Sequence, residues 1–246
     1  MSPSLFQVLN ISSQDMNARI EDLGNSSNTI ANINTNGFKS SRLNFQELLD
    51  GANRSGVKTT TTQYMTTQGK LMATDTPTDV AINGDGYFAI RLPDGKTAYT
   101  RDGQFQLDEN NRLLSSNGNQ VVITGTIPAT ATEIAISPNG TISAKVDDTW
   151  VNAGTIQLNR FINPGGLSSI GNNLFVESVN SGKAQTGAPG SVNFGNLVPG
   201  SLENSNVNFA DEITHMIVIQ RSFQMASRAF DTTSTMIDAA IRMRKG

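Results

Sequence analysis

The stretch Met216-Ile217-Val218-Ile219-Gln220-Arg221-Ser222-Phe223 opens the repeat that decides how this chain folds. Met216, Phe223, Phe230 and Ile237 recur at seven-residue spacing, and Ile219, Ala226, Thr233 and Ala240 follow three residues behind them. This is the a/d pattern of a helix that packs on another helix, with large residues at a and mostly small ones at d. No glycine or proline interrupts residues 208–244. Asp211 and Glu212 fall in the first turn, and Arg242, Arg244 and Lys245 in the last. Both placements suit the helix dipole. Burial is worth roughly 1.5–3 kcal/mol per large side chain, and only when something covers the stripe. The repeat therefore predicts a helix over 208–246 that requires helical partners.

The other end of the chain offers one. Leu9, Met16, Leu23 and Ile30 are also seven apart, flanked by Leu5, Phe6, Ile20 and Ile33. Proline is absent from residues 4–33, and Gly24 is the sole glycine there. A second, weaker helix is expected, since Gly24 and Asn25-Ser26-Ser27-Asn28 are poor helix formers. The expected assembly interface is Leu9, Met16, Leu23 and Ile30 with Met216, Ile219, Phe223, Ala226, Phe230 and Ile237. Each stripe is too narrow to make a core alone, so partners beyond the chain's own ends must come from other molecules.

Between the ends the period changes. Asp79-Val80-Ala81-Ile82-Asn83 leads through Gly84-Asp85-Gly86 into Tyr87-Phe88-Ala89-Ile90-Arg91-Leu92, and then Pro93-Asp94-Gly95. Short apolar runs separated by Asn-Gly and Asp-Gly turns continue to Phe161 and predict an antiparallel all-β domain. The fold class expected is α+β: paired terminal helices (1–40 and 208–246), a central β domain (79–179), and polar extended connectors (41–78 and 180–207).

Composition narrows the chemistry. Of 246 residues, 37% are hydrophobic and 16% charged, so the chain is polar but weakly charged, unlike a disordered one. A net charge of −3 gives no field for nucleic acid or an acidic membrane. The absence of cysteine removes disulfides, thiolate metal sites and cysteine nucleophiles. The N-terminus, Met1-Ser2-Pro3-Ser4-Leu5-Phe6, lacks the basic and apolar regions of a cleaved signal peptide.

No catalytic or metal residue is assigned, and no cofactor or small-molecule substrate is expected. His215 is the single histidine, and acid–base work needs a positioned partner. A calcium loop through Asn83 and Asp85 would need oxygen ligands where Ala81 and Leu92 stand. Asp102, Asp108 and Glu109 sit in turns. Arg242-Met243-Arg244-Lys245 carries no aromatic residues, so helix-end complementation is the plainer account than nucleic acid.

Two further blocks matter. Ala31-Asn32-Ile33-Asn34-Thr35-Asn36-Gly37-Phe38-Lys39 reads locally as a helix stop, with Gly37 in the left-handed C′ position and Phe38 packed back on the last turn. Gly200-Ser201-Leu202-Glu203-Asn204-Ser205-Asn206-Val207 precedes the second helix, which carries Gln220-Arg221. Together with Asp79–Phe88 and Tyr99–Phe105, in this order, these blocks closely resemble the bacterial flagellar rod and hook axial proteins over nearly the whole chain. The motif residues are Ala31, Asn32, Thr35, Gly37, Phe38, Lys39, Gly200, Leu202, Glu203, Ser205, Asn206, Val207, Gln220 and Arg221. Length and the Phe45-Gln46-Glu47-Leu48-Leu49 run look most like the rod members, distal ahead of proximal. A hook-type subunit is the alternative.

The resemblance implies a structural subunit of the flagellar basal body. Its paired helices would line a hollow helical tube that transmits torque from motor to hook. It implies copies of itself, neighbouring rod and hook subunits, the flagellar export apparatus and the ring proteins around the rod as partners. It implies type III export without a cleaved signal. A β-domain module that binds glycan from outside the cell would need an aromatic cluster, whereas Trp150 is the single tryptophan and the tyrosines lie apart at 64, 87 and 99.

Overall fold

Helix α1 spans Leu5–Ala31 and helix α2 spans Phe209–Lys245 in the computed structural model, which describes residues 5–50 and 53–245. Side chains at 47–57, 61, 244 and 245 fall outside that description, and with them Glu47, Leu48, Leu49, Arg244 and Lys245. The chain is α+β, and its described residues divide into two units.

The first unit combines 1–31, 41–63 and 207–246. In it α1 packs along α2, and strand Ser41–Asp50 packs on α1 and pairs with Asn53–Tyr64. Asn208 caps α2, accepting from the Ala210 N–H with its side chain (3.1 Å) and from the Glu212 N–H with its carbonyl (3.0 Å). Helix α1 runs unbroken through Asn25–Asn28 because tertiary bonds hold it there. Asn25 donates to the Ser41 carbonyl and accepts from the Ser41 hydroxyl, both at 2.7 Å. The segment read as an extended connector after Ser40 is thus a paired strand that braces the helix.

The second unit combines 32–40 and 64–206. Its strands pair antiparallel around a nine-stranded sheet in which Tyr87–Arg91 lies centrally, bonded to Thr97–Thr100, Gln120–Val121 and Leu158–Arg160. A four-stranded sheet places Ile123–Gly125, Thr149–Ile156, Thr141–Val146 and Glu133–Ile136 side by side. Tyr87–Ile90 is buried on both faces. Phe88 and Ile90 enter the main core with Ile82, Phe105, Ile142 and Leu158. Tyr87 and Ala89 enter a smaller cluster on the other face, where Phe161 meets Tyr99 edge-to-face at 4.8 Å. The second expected connector is also paired: Asn196–Pro199 with Val80–Asn83, and Ser201–Glu203 with Leu71–Ala73.

Candidate functional site

Two arrangements gather the residues singled out in the sequence, one in each unit.

In the helical pair the d positions are covered more fully than the a positions. Three of the d set are buried: Ile219 at 2% exposure, Ala226 at 9% and Thr233 at 6%. The large a set, Met216, Phe223, Phe230 and Ile237, is half-buried, and Ala240 is exposed. The reason lies on α1, whose covered face is small and polar: Ser12, Ala18, Asp22, Ser26 and Thr29. Such a face lets the helices approach closely, and the bulky residues flank the contact. Leu9, Met16, Leu23 and Ile30 are likewise half-buried. Between the helices Ile20, Leu23, Ile219 and Phe223 line a groove of about 210 Å³ with Arg19 and Gln220 at its rim. His215 is half-exposed and sits 3.4 Å from both carboxylate oxygens of the buried Asp22, linking the helices rather than facing a cleft.

In the second unit the two motif blocks meet. Gly37, Phe38 and Lys39 are buried, as are Leu202 and Glu203. Helix α1 ends at Ala31, so Gly37 is not its C′ residue, and Phe38 does not cap the last turn. Gly37 has φ +66°, and its N–H donates to the Glu203 carbonyl at 2.7 Å. A Cβ there would fall on the backbone of Arg101 and Asp102, so glycine is required for close approach as well as for its φ. The Lys39 ammonium donates to Glu203 Oε1 at 2.6 Å and to the Thr67 carbonyl at 2.9 Å. The Gly69 N–H donates to the same Oε1 at 2.8 Å. Arg101 NH1 lies 3.5 Å from Glu203 Oε2, while its NH2 donates to the Gly84 carbonyl and its guanidinium covers the Tyr87 ring at 5.1 Å.

Asn206 adds a second clamp. Its side-chain oxygen accepts from the Ser40 N–H at 2.8 Å, and its amide donates to the Met65 and Thr67 carbonyls at 2.9 and 3.0 Å. One ion cluster and one amide thus tie together 37–40, 65–69, 101 and 203–206. Thr35 bonds locally to Asn32, and Gly200 turns the chain at φ +65°. Ala31, Gln220 and Arg221 are exposed, whereas Ser205 and Val207 are half-buried.

The electrostatics fit a structural role. Burial holds the Lys39 ammonium below its usual pKa, an effect opposed by the Glu203 charge and hydrogen bond and reinforced by Arg101. Burial pushes the Tyr87 phenol up, with Arg101 opposing. Asp102, beside Gly37, is pushed up by burial although it accepts from the Ser116 hydroxyl and the Gln104 N–H. The side chains of Glu203 and Lys39 are 0% and 2% exposed, so neither can meet a substrate. Among the described residues no group of three or more His, Cys, Asp or Glu could hold a metal ion, and no helix is long and apolar enough to cross a membrane. Arg101 was not a candidate in the sequence. Its only local signal is the Tyr-Thr-Arg-Asp-Gly context.

The sequence is similar to those of known proteins. Residues 81–144 match the family described as flagellar hook protein FlgE/F/G D1 domain, and residues 198–243 match the flagellar basal body rod FlgEFG protein C-terminal family. A flagellar basal-body rod protein FlgG of Borreliella burgdorferi is 39% identical over 94% of this chain and 96% of its own length. Rod proteins FlgG of Buchnera aphidicola (subsp. Acyrthosiphon pisum) and Caulobacter vibrioides are 38% and 40% identical, over 96% and 89% of this chain and 98% and 92% of theirs. The similarity runs through both motif blocks, the β unit and α2, and with identity at this level over almost the full chain it assigns the protein to the flagellar basal-body rod protein family.

Proposed function

We propose that this chain is a structural, non-catalytic subunit of the flagellar rod that polymerises through its terminal helices. The observation that carries this function is the half-covered stripe. After α1 and α2 have paired, Met216, Phe223, Phe230 and Ile237 and their counterparts on α1 still present apolar area that a further helix can cover. Copies of the chain supply such helices and build a hollow tube lined by the helix pairs. Neighbouring rod and hook subunits continue it, the surrounding rings enclose it, and the export apparatus delivers subunits. Strands paired into several sheets and a buried ion cluster make the β unit a stiff element, suited to carrying torque from motor to hook.

The experiment is complementation of a strain lacking the gene. Wild-type chain is expected to restore basal bodies with complete rods, and Phe223→Asp with Phe230→Asp to leave rods truncated although each subunit is exported. Normal rods from the double variant would remove the helical stripe from the assembly.

A further inference from the structure

We infer that the β unit carries a second interface between copies, in which the hairpin tip bearing Trp150 inserts into a cleft on the neighbouring copy. This contact rests on the rod-subunit function proposed above and adds to it an interface outside the helices.

The tip is preformed. Asp147 and Asp148 take positive φ (46° and 63°) between the paired Val146 and Thr149, and the Thr149 hydroxyl donates to the Val146 carbonyl at 2.9 Å. Trp150, the single tryptophan, stands 53% exposed beside the exposed Val151. A large aromatic side chain held out beside a rigid turn has the make-up of an interface anchor. The tip's charges are unbalanced: Lys145 pairs with Asp148 at 3.2 Å, and the Asp147 carboxylate has no basic partner among the described residues.

The cleft has the matching features. It encloses about 220 Å³ at the seam between the two sheets, floored by Leu113, Val121 and Ile127. An apolar cavity of about 150 Å³ holds benzene, so this volume has room for an indole. Gln120 and Asn110 on the rim can accept from the indole N–H. Arg112 on the rim is already engaged by Asp108 at 2.7 Å, but Arg91 has no acidic partner among the described residues. Asp147 complements it. A copy cannot fill its own cleft: Gly125 pairs with Gly154, four residues short of Trp150, or roughly 13 Å along the strand. A knob on one surface and a hole on another make a head-to-tail contact, the kind that generates helical filaments.

The sole tryptophan and the absence of cysteine supply clean probes. On assembly of the wild-type chain, Trp150 emission is expected to shift to the blue and its quenching by acrylamide to fall. Thr149→Cys with Gln120→Cys in one chain is expected to give a ladder of oxidised multimers in the assembled state. Arg91→Asp should lower the linked product roughly tenfold, and adding Asp147→Arg should restore it. Assembled filaments with unshifted emission and no ladder would overturn this interface while leaving the helical one standing. A chain that stays monomeric at every concentration would overturn both. A blue shift of the monomer on adding soluble cell-wall glycan would assign the tip to a glycan and overturn the copy-to-copy contact.

Discussion

Glu203→Gln is expected to lower stability by about 3–5 kcal/mol, because it leaves two buried cations, Lys39 and Arg101, without their shared counter-charge. The measurement is the urea midpoint of the purified chain. A loss under about 1 kcal/mol would mean that the cluster is solvated in solution. Gly37 and Gly95 separate two costs. Both have positive φ, but a Cβ at Gly95 meets open space whereas one at Gly37 meets the Arg101–Asp102 backbone. Gly95→Ala should therefore cost about 1 kcal/mol and Gly37→Ala about 2–3 kcal/mol by thermal melting. Equal losses would remove the close-approach requirement at Gly37. Lys39, Glu203 and Asn206 were visible in the sequence as motif residues, but their joining was not. Lys39 and Glu203 are 164 residues apart, and no local pattern encodes which buried carboxylate will meet which ammonium. The helix-stop reading of Gly37 failed for a similar reason. A left-handed glycine is legible locally, whereas the backbone it must pass beside is a product of the fold.

At the scale of elements, the helices and the sheets respond to different perturbations. Ile219→Asp places a carboxylate between α1 and α2 and should disrupt that pair in the isolated subunit. Phe223→Asp stands on the half-covered flank and should leave the monomer's circular dichroism unchanged while abolishing assembly. A reversed order of effects in the monomer would contradict the packing of the helix pair. In the sheets, burial pushes the Tyr99 phenol up, as does its hydrogen bond to Glu177, and burial pushes Tyr87 up as well. Unfolded tyrosines ionise near pH 10. Above that pH the folded state retains protons that the unfolded state releases, so this contribution is intact below about pH 10 and is lost as pH rises past it. The urea midpoint should fall between about pH 9 and pH 11, and Tyr99→Phe should flatten the fall. An unchanged slope in that variant would detach Tyr99 from the effect. The heptads made both helices legible, but not the shallow burial of the a positions, because the covering face of α1 (Ser12, Asp22, Ser26, Thr29) has no apolar period. Turns that carry glycine mark strands legibly: Asn139-Gly140 lies between the paired strands Glu133–Ile136 and Thr141–Val146. The strand from Thr149 has no such marker, because its turn is Asp147-Asp148, two residues that adopt positive φ without the glycine that marks a hairpin.

For the whole molecule, the dilute subunit should exchange amide protons unevenly. The strands around Phe88 and Ile90 lie in the main core, whereas the outer faces of α1 and α2 await partners. Exchange in 5–31 and 209–245 is expected to be fast in the monomer and to slow sharply on assembly, with 80–91 protected in both states. Composition and the two ends disclosed the architecture because helices that cannot bury their stripes alone demand partners. The tie between the segments entering and leaving the β unit required the folded chain. The most direct measurement is a cryo-EM map of intact basal bodies from a strain complemented with this chain. The predicted result is density for the subunit in the rod, with α1 and α2 lining the channel and Phe223 and Phe230 buried against helices of adjacent copies. Density for the chain outside the rod, or those two phenylalanines facing solvent within it, would contradict the proposal that this protein builds the rod through its terminal helices.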